Sequence, residues 1–240
     1  MSIHVIRKKM NVLGIETATE KLSAALVIGN ISYERHTDSR SSHCELLAGF
    51  IMELAKEAGI KMNHINGISV SIGPGSFTGL RIGIATAMGL AYSLGVKAAG
   101  VNTLMGLAWK TAKPGTLVCP LIDAKRSQIF AGIYRTGEGI PDTIVSPLAV
   151  TCEKLADIVR SQGEQVTITG PAAELFRKTF DEISDSKLTF IPGDKAKPSA
   201  VAIAELGRMI LLAGKGVNPV ALKPVYLRRS DAEILRDRCR

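Results

Sequence analysis

The chain has 240 residues, 46% of them hydrophobic, and a mean hydropathy of +0.18, which is enough apolar material for one large or two small packed domains and excludes general disorder. A formal charge of +8 would suit a nucleic-acid binder, yet residues 1–10 carry +3 and 223–240 another +3, leaving +2 for 11–222. A basic face on the folded body is therefore not expected, and direct RNA binding by the chain alone is disfavoured.

Residues 1–9 read as an extension ahead of Met10: Arg7-Lys8-Lys9 precedes an apolar start, but Glu16, Thr17 and Thr19 interrupt it too soon for a secretory core. Three strands follow at 11–17, 22–28 and 31–36, the last two joined by Gly29-Asn30, a pair suited to a tight hairpin. Ser42-His43-Cys44-Glu45 has the spacing of a capping box and opens a helix striped by Leu46, Leu47, Phe50, Ile51, Leu54 and Ala58, with Gly59 as its stop. Ile68–Ile72 is the next strand, and a Gly-Pro turn leads into a helix over 78–94. The stretch from Phe77 to Val96 has a single charge, Arg81, but contains four glycines, and its uncharged run after Arg81 is only 15 residues, so a buried helix is expected there and no membrane span.

The second half repeats the order. Strands are expected at 117–123, 128–135 and 144–150, then a helix over 152–161, a strand at 166–169 and a helix from Pro171 to Phe180; Ala200–Leu212 closes the fold. Ile15-Glu16 and Ile122-Asp123 each put a carboxylate at the end of a first strand, and Gly73-Pro74 and Gly170-Pro171 each follow a fourth. The fold class expected is α/β, a duplicated β-β-β-α-β-α unit of the actin-like type (hexokinase and sugar-kinase), divided as 11–102 and 103–222 with basic terminal segments at 1–10 and 223–240.

Gly73–Gly83, GPGSFTGLRIG, follows a strand and opens a helix, so its N–H groups are placed to cradle an anion; the same glycines also serve a tight turn and close packing. It is neither a Walker loop nor a dinucleotide fingerprint. Glu16, Thr17, Ser76, Asp123 and Gly170 mark the position expected of a vestigial nucleotide cleft between the halves; the segments at Glu16–Thr19 and Asp123–Ser127 also read as solvated turns. Gly79, Gly83 and Ala87 recur every fourth residue and leave a groove that a second helix could enter. With Leu46, Leu47, Phe50, Ile51 and Leu54 they make up the expected partner interface. Four dispersed cysteines (Cys44, Cys119, Cys152, Cys239) form no C-x-x-C pair, and His4, His36, His43 and His64 show no ligand spacing, so reduced thiols and no metal site are expected. No nucleophile elbow or H-E-x-x-H motif is present, and no catalytic residue is assigned.

These segments resemble the bacterial TsaB (YeaZ) family: Gly73–Gly83 above all, then Leu13-Gly14-Ile15-Glu16-Thr17, Ser42–Leu47, Gly100–Leu104, Asp123–Arg126 and Pro224–Arg228, over about Met10–Arg229. The resemblance implies an actin-like fold and a cytoplasmic protein that forms homodimers and heterodimers with the related catalytic subunit TsaD. With the ATPase TsaE, such complexes make threonylcarbamoyl-adenosine next to the anticodon of tRNAs reading codons that begin with A. It also implies no cofactor of the chain's own, with ATP and metal on the partner subunits and tRNA engaged only through the complex. Where TsaD-like sequences read Gly-Val-Asn-His-x-x-x-His, this one has Gly100-Val101-Asn102-Thr103-Leu104-Met105-Gly106-Leu107. Glu16 stands where Asp is usual, and Ser127-Gln128 where Gly-Glu is usual. The alternatives are a nucleotide-binding or phosphotransferase enzyme of the same fold and, less well supported, a glycoprotease-type peptidase.

Overall fold

The computed structural model describes residues 10–37, 43–111, 113–183, 188–191 and 196–228. In the first half β1 (Val12–Glu16), β2 (Leu22–Ile28) and β3 (Ile31–Thr37) form an antiparallel meander. Helix α1 (His43–Glu57), β4 (Gly67–Gly73), α2 (Phe77–Leu94) and β5 (Lys97–Asn102) follow, with β4 parallel to β1 and β5 parallel to β4. The sheet order is β3-β2-β1-β4-β5. Helix α3 (Thr103–Thr111) leads to the second half: β6 (Leu117–Lys125), β7 (Gln128–Arg135), β8 (Asp142–Val150), α4 (Cys152–Arg160), β9 (Val166–Thr169), α5 (Arg177–Ile183) and β10 (Leu188–Phe190). Its sheet order, β8-β7-β6-β9-β10, is the same arrangement repeated, and α6 (Ala200–Leu212) and a 3₁₀ turn at Pro219–Ala221 are the last elements among the described residues. This is the actin-like duplication.

The central strands are buried on both faces and read as continuous apolar runs; β1 is wholly buried, and β2 nearly so. Local signals hold where they were strongest. Gly29 adopts φ +59° in the hairpin turn, and Gly59, at φ +64°, follows the end of α1. The Ser42 capping box lies outside the described residues. Ser76 caps α2, its side chain accepting the Gly79 N–H at 3.2 Å, and Gly95 ends the helix in the left-handed conformation.

Several elements differ from the expectation. The repeat unit carries a fifth strand in each half, β5 and β10, and α3 stands between the halves. The expected helix from Pro171 begins only at Arg177; residues 171–176 form turns, with the Ala172 N–H donating to the Leu121 carbonyl at 3.2 Å and the Ala173 N–H to Gly170 at 3.0 Å. These bonds hold the segment to β6 instead of letting it wind from the proline. Packing also crosses the 102/103 division. Helix α3 packs on β6 and β7, while α6 packs on β1, β2, β4 and β5, so the helix after each half covers the sheet of the other. Close approach of α6 depends on small residues: a Cβ on Gly14 would lie 2.3 Å from the Ala200 carbonyl oxygen, and one on Gly207 2.0 Å from Ser69 Oγ. Ser69 Oγ in turn donates to the Ile203 carbonyl at 2.6 Å.

Candidate functional site

The turn after β1 is packed inward. Glu16 is 1% exposed, and its carboxylate accepts the Ala18 N–H at 2.6 Å. Burial pushes its carboxyl up to about 7, against the opposing pull of the Ala18 N–H and the Ser71 hydroxyl; among the described residues no cation offsets the burial. The glycines of the motif lie directly beneath the turn. A Cβ on Gly75 would meet the Ala18 carbonyl oxygen at 2.1 Å, one on Gly79 the Thr17 carbonyl oxygen at 2.0 Å, and one on Gly83 Thr17 Oγ1 at 2.1 Å. The motif is therefore a seat for the chain's own Thr17-Ala18 turn. The expected groove at Gly79, Gly83 and Ala87 is filled from within, and all three are buried.

The equivalent turn after β6 points outward. Lys125, Arg126 and Ser127 take three consecutive positive φ angles of 63°, 53° and 57°, which bend the hairpin and expose both cations. Asp123 accepts the Lys125 N–H at 2.7 Å and pairs with Lys125 Nζ at 2.8 Å. Partial burial raises its carboxyl, but Lys125 and Arg228 outweigh that and hold it below its ordinary value.

A cavity of about 710 Å³ lies between the halves. Of the five expected cleft residues, Ser76 and Asp123 line it, while Glu16, Thr17 and Gly170 are absent from its walls. The residues present do not fit a metal-bound nucleotide. The first-half carboxylate is buried and spent on its own turn, and the second-half carboxylate is spent on Lys125. The Ser76 N–H donates to the Ala18 carbonyl at 2.6 Å and its hydroxyl accepts the Gly79 N–H, so this helix start is already engaged from within. Among the described residues no group of His, Cys, Asp and Glu has metal-ligand geometry.

The outer side of α1 and α2 is the other candidate. Leu47, Ile51 and Leu54, expected at the interface, are buried against the chain's own sheet, while Leu46 and Phe50 are half-buried. What this side exposes was not picked out from the sequence: Met52 at 62% and Tyr92 at 75%, together with Gly49, Ala85 and Gly89. Gly49 and Gly89 lie inside helices, yet nothing stands within 4 Å of a Cβ added to either. Each costs its helix about 0.5–1 kcal/mol relative to alanine, and no contact among the described residues requires it. The signal available in the sequence was that cost: two helix-interior glycines off the buried stripes.

The family model described as TsaD, tRNA N6-adenosine threonylcarbamoyltransferase, matches residues 27–234. The chain belongs to this family. It is 29% identical over 233 residues to the Escherichia coli tRNA threonylcarbamoyladenosine biosynthesis protein TsaB, covering 93% of this chain and 96% of that one. To the Bacillus subtilis protein of the same name it is 25% identical over 225 residues, with the same two shares covered. Among solved structures it superposes on YeaZ from Pseudomonas aeruginosa with a TM-score of 0.77 at 23% identity, over 91% of this chain and all of that one. A second Pseudomonas aeruginosa chain, described as similar to peptidase YEAZ, gives 0.81 at 24% identity over the same shares. Thr103 opens α3, and Leu107 lies at its middle. Thr103 and Leu107 are each 1% exposed, and Leu107 packs with Leu104, Val118, Ile122 and Tyr134.

Proposed function

We propose that this chain is a non-catalytic, cytoplasmic partner subunit for making threonylcarbamoyladenosine in tRNA. It docks on a TsaD-like catalytic subunit, works with a TsaE-like ATPase, and reaches tRNA through that assembly. The observation that carries the non-catalytic part is position 107: a leucine has no donor atom for a metal, and here its side chain is spent on the core of the second half. Similarity to proteins named TsaB over nearly the full length of both chains supports the pathway. The misfit of the first-half turn to a nucleotide weighs against a phosphotransferase, and no nucleophile–base pair supports a peptidase.

The docking face is the outer side of α1 and α2. Gly49 and Gly89 leave the backbone bare where another helix would approach, and Met52 and Tyr92 supply flexible and aromatic anchors beside them. One such face serves a two-fold homodimer and a heterodimer with a related subunit, so the two assemblies compete for it.

The test pairs the full chain with the TsaD-like and TsaE-like proteins of its own organism. Product formation on tRNA is expected only when this chain is added, and product formed without it defeats the reading. Gly89→Leu should lower affinity for the TsaD-like subunit by roughly 5- to 150-fold, for about 1–3 kcal/mol of lost fit, while melting rises slightly as the helix-interior glycine is removed. Normal association of that variant would move the interface elsewhere.

A further inference from the structure

After the 3₁₀ turn, the chain crosses between the halves once more. The Val225 N–H donates to the Ile72 carbonyl at 2.7 Å, and Gly73 makes room for the Val225 carbonyl oxygen, which an added Cβ would meet at 2.6 Å. Tyr226 stacks on Phe77 with ring centroids 4.7 Å apart, and its hydroxyl accepts from Arg81 Nε at 3.1 Å. The Arg81 guanidinium itself lies 3.7 Å from the centre of the Phe77 ring. These contacts all belong to the first half. The next two residues belong to the second: Leu227 packs on the cluster of Leu104, Ile122 and Phe130, and Arg228 donates to the carbonyls of Ala124 and Lys125.

We propose that Val225–Arg228 is a latch that fastens the two halves across the mouth of the cavity. Four consecutive residues divide two and two between the halves, and each has a defined contact. All four also form part of the cavity wall. A tail merely resting on the surface would favour one half, and its polar groups would face water. Here a backbone N–H, a phenol and a guanidinium are each committed to a partner in a particular half. The crossing from β5 runs straight into the buried helix α3, whereas this one rests on a single backbone hydrogen bond and on side chains and can open without unfolding either sheet. Its first-half anchor sits on α2. If α2 carries the docking face, which rests on the reading above, a partner seated there also acts on the helix that holds the latch.

Hydrogen exchange on the isolated full chain, followed by mass spectrometry, tests the latch without any partner. Tyr226→Ala removes an anchor in the first half only, and Arg228→Ala one in the second only. A latch transmits each loss to the far side. Tyr226→Ala should speed exchange in the turn at 123–127, and Arg228→Ala should speed it at Val225 and in the turn at 18–21, each by roughly tenfold, the effect of losing one strong contact. Acceleration confined to the half that lost its anchor overturns the proposal, as does no change in either. Should an alanine variant also loosen β1 and β6, Tyr226→Phe and Arg228→Lys decide. Tyr226→Phe keeps the ring stack and should leave the far turn protected. Arg228→Lys cannot span both carbonyls and should speed exchange at Val225 by a smaller factor. The reverse pattern rejects the latch.

Discussion

Glu16 and Asp123 stand at the same point of the two halves, each where a first strand runs out, and they meet opposite surroundings. Around Glu16, Gly75, Gly79 and Gly83 let α2 close on the turn until its backbone oxygens touch helix backbone. Around Asp123 no glycine run exists; Pro171, Ala172 and Ala173 hold the next segment in turns, and α5 starts six residues beyond the proline. The first carboxyl is dry and rises, while the second is half wet, paired with Lys125, and falls. Duplication preserves the placement of a group, and what packs against it decides its chemistry. In the first half the helix start is closed onto the turn.

The strongest way to break this contrast is to remove the seat. Gly79→Ala places a methyl 2.0 Å from the Thr17 carbonyl oxygen, a backbone atom that cannot swing aside. A loss of about 3 kcal/mol in unfolding free energy is expected, read by urea titration. Gly83→Leu should likewise act on melting, because its neighbour is Thr17 and not a foreign helix. A Gly79→Ala protein as stable as the parent would show that the turn is not seated on α2.

Next in size is the charge state of Glu16. Its carboxyl is raised from an ordinary 4.5 to about 7, so between those values the folded protein holds a proton that the unfolded chain has released. Stability from this group is complete below pH 4.5, is lost as pH rises toward 7, and is absent above it. The span is on the order of 2–3 kcal/mol, given the complete burial of the side chain. Glu16→Gln keeps an acceptor for the Ala18 N–H without the charge. The variant minus parent difference should therefore grow from pH 5 to pH 7.5 in the variant's favour. A difference that stays flat across that range would mean that Glu16 is solvated.

Much of this was legible in the residues, and the exceptions have physical causes. Short apolar runs, the Gly29 turn and the Gly59 stop located the first five elements, and the paired carboxylates gave away the duplication. Strand β5 was missed because Lys97–Asn102 has two alanines and a glycine and little β-branched character; parallel pairing with β4 makes it a strand. Strand β10 has three residues, too few for any period. The small-residue row of α2 was visible, but its occupant was not, because Thr17 lies 62 residues before Gly79 in the chain. That Phe77 and Arg81 meet Tyr226 was not legible for the same reason. Their contact joins positions about 145 residues apart, which no local pattern records.

The smallest effect expected is at Asp123, and its value lies in its sign. The group's carboxyl is held below its ordinary 3.8, chiefly by Lys125 once the opposing effect of burial is overcome. A lowered carboxyl stabilises the fold above its unfolded value and loses that contribution as pH falls through the folded one, the reverse of Glu16. Because Asp123 is 34% exposed and Lys125 67%, solvent screens the pair, and about 0.5 kcal/mol is a reasonable ceiling. Asp123→Asn should therefore cost little at pH 7, with the deficit shrinking below pH 4 and also in high salt. Asn keeps an acceptor for the Lys125 N–H, so the bend at 125–127 is preserved and the measurement reports the charge alone. Thermal melts of parent and variant at pH 7 and pH 3.5, each at low and high salt, would resolve it. A deficit of several kcal/mol that persists in salt would mean that Asp123 is as dry as Glu16, and the contrast between the halves would then fail.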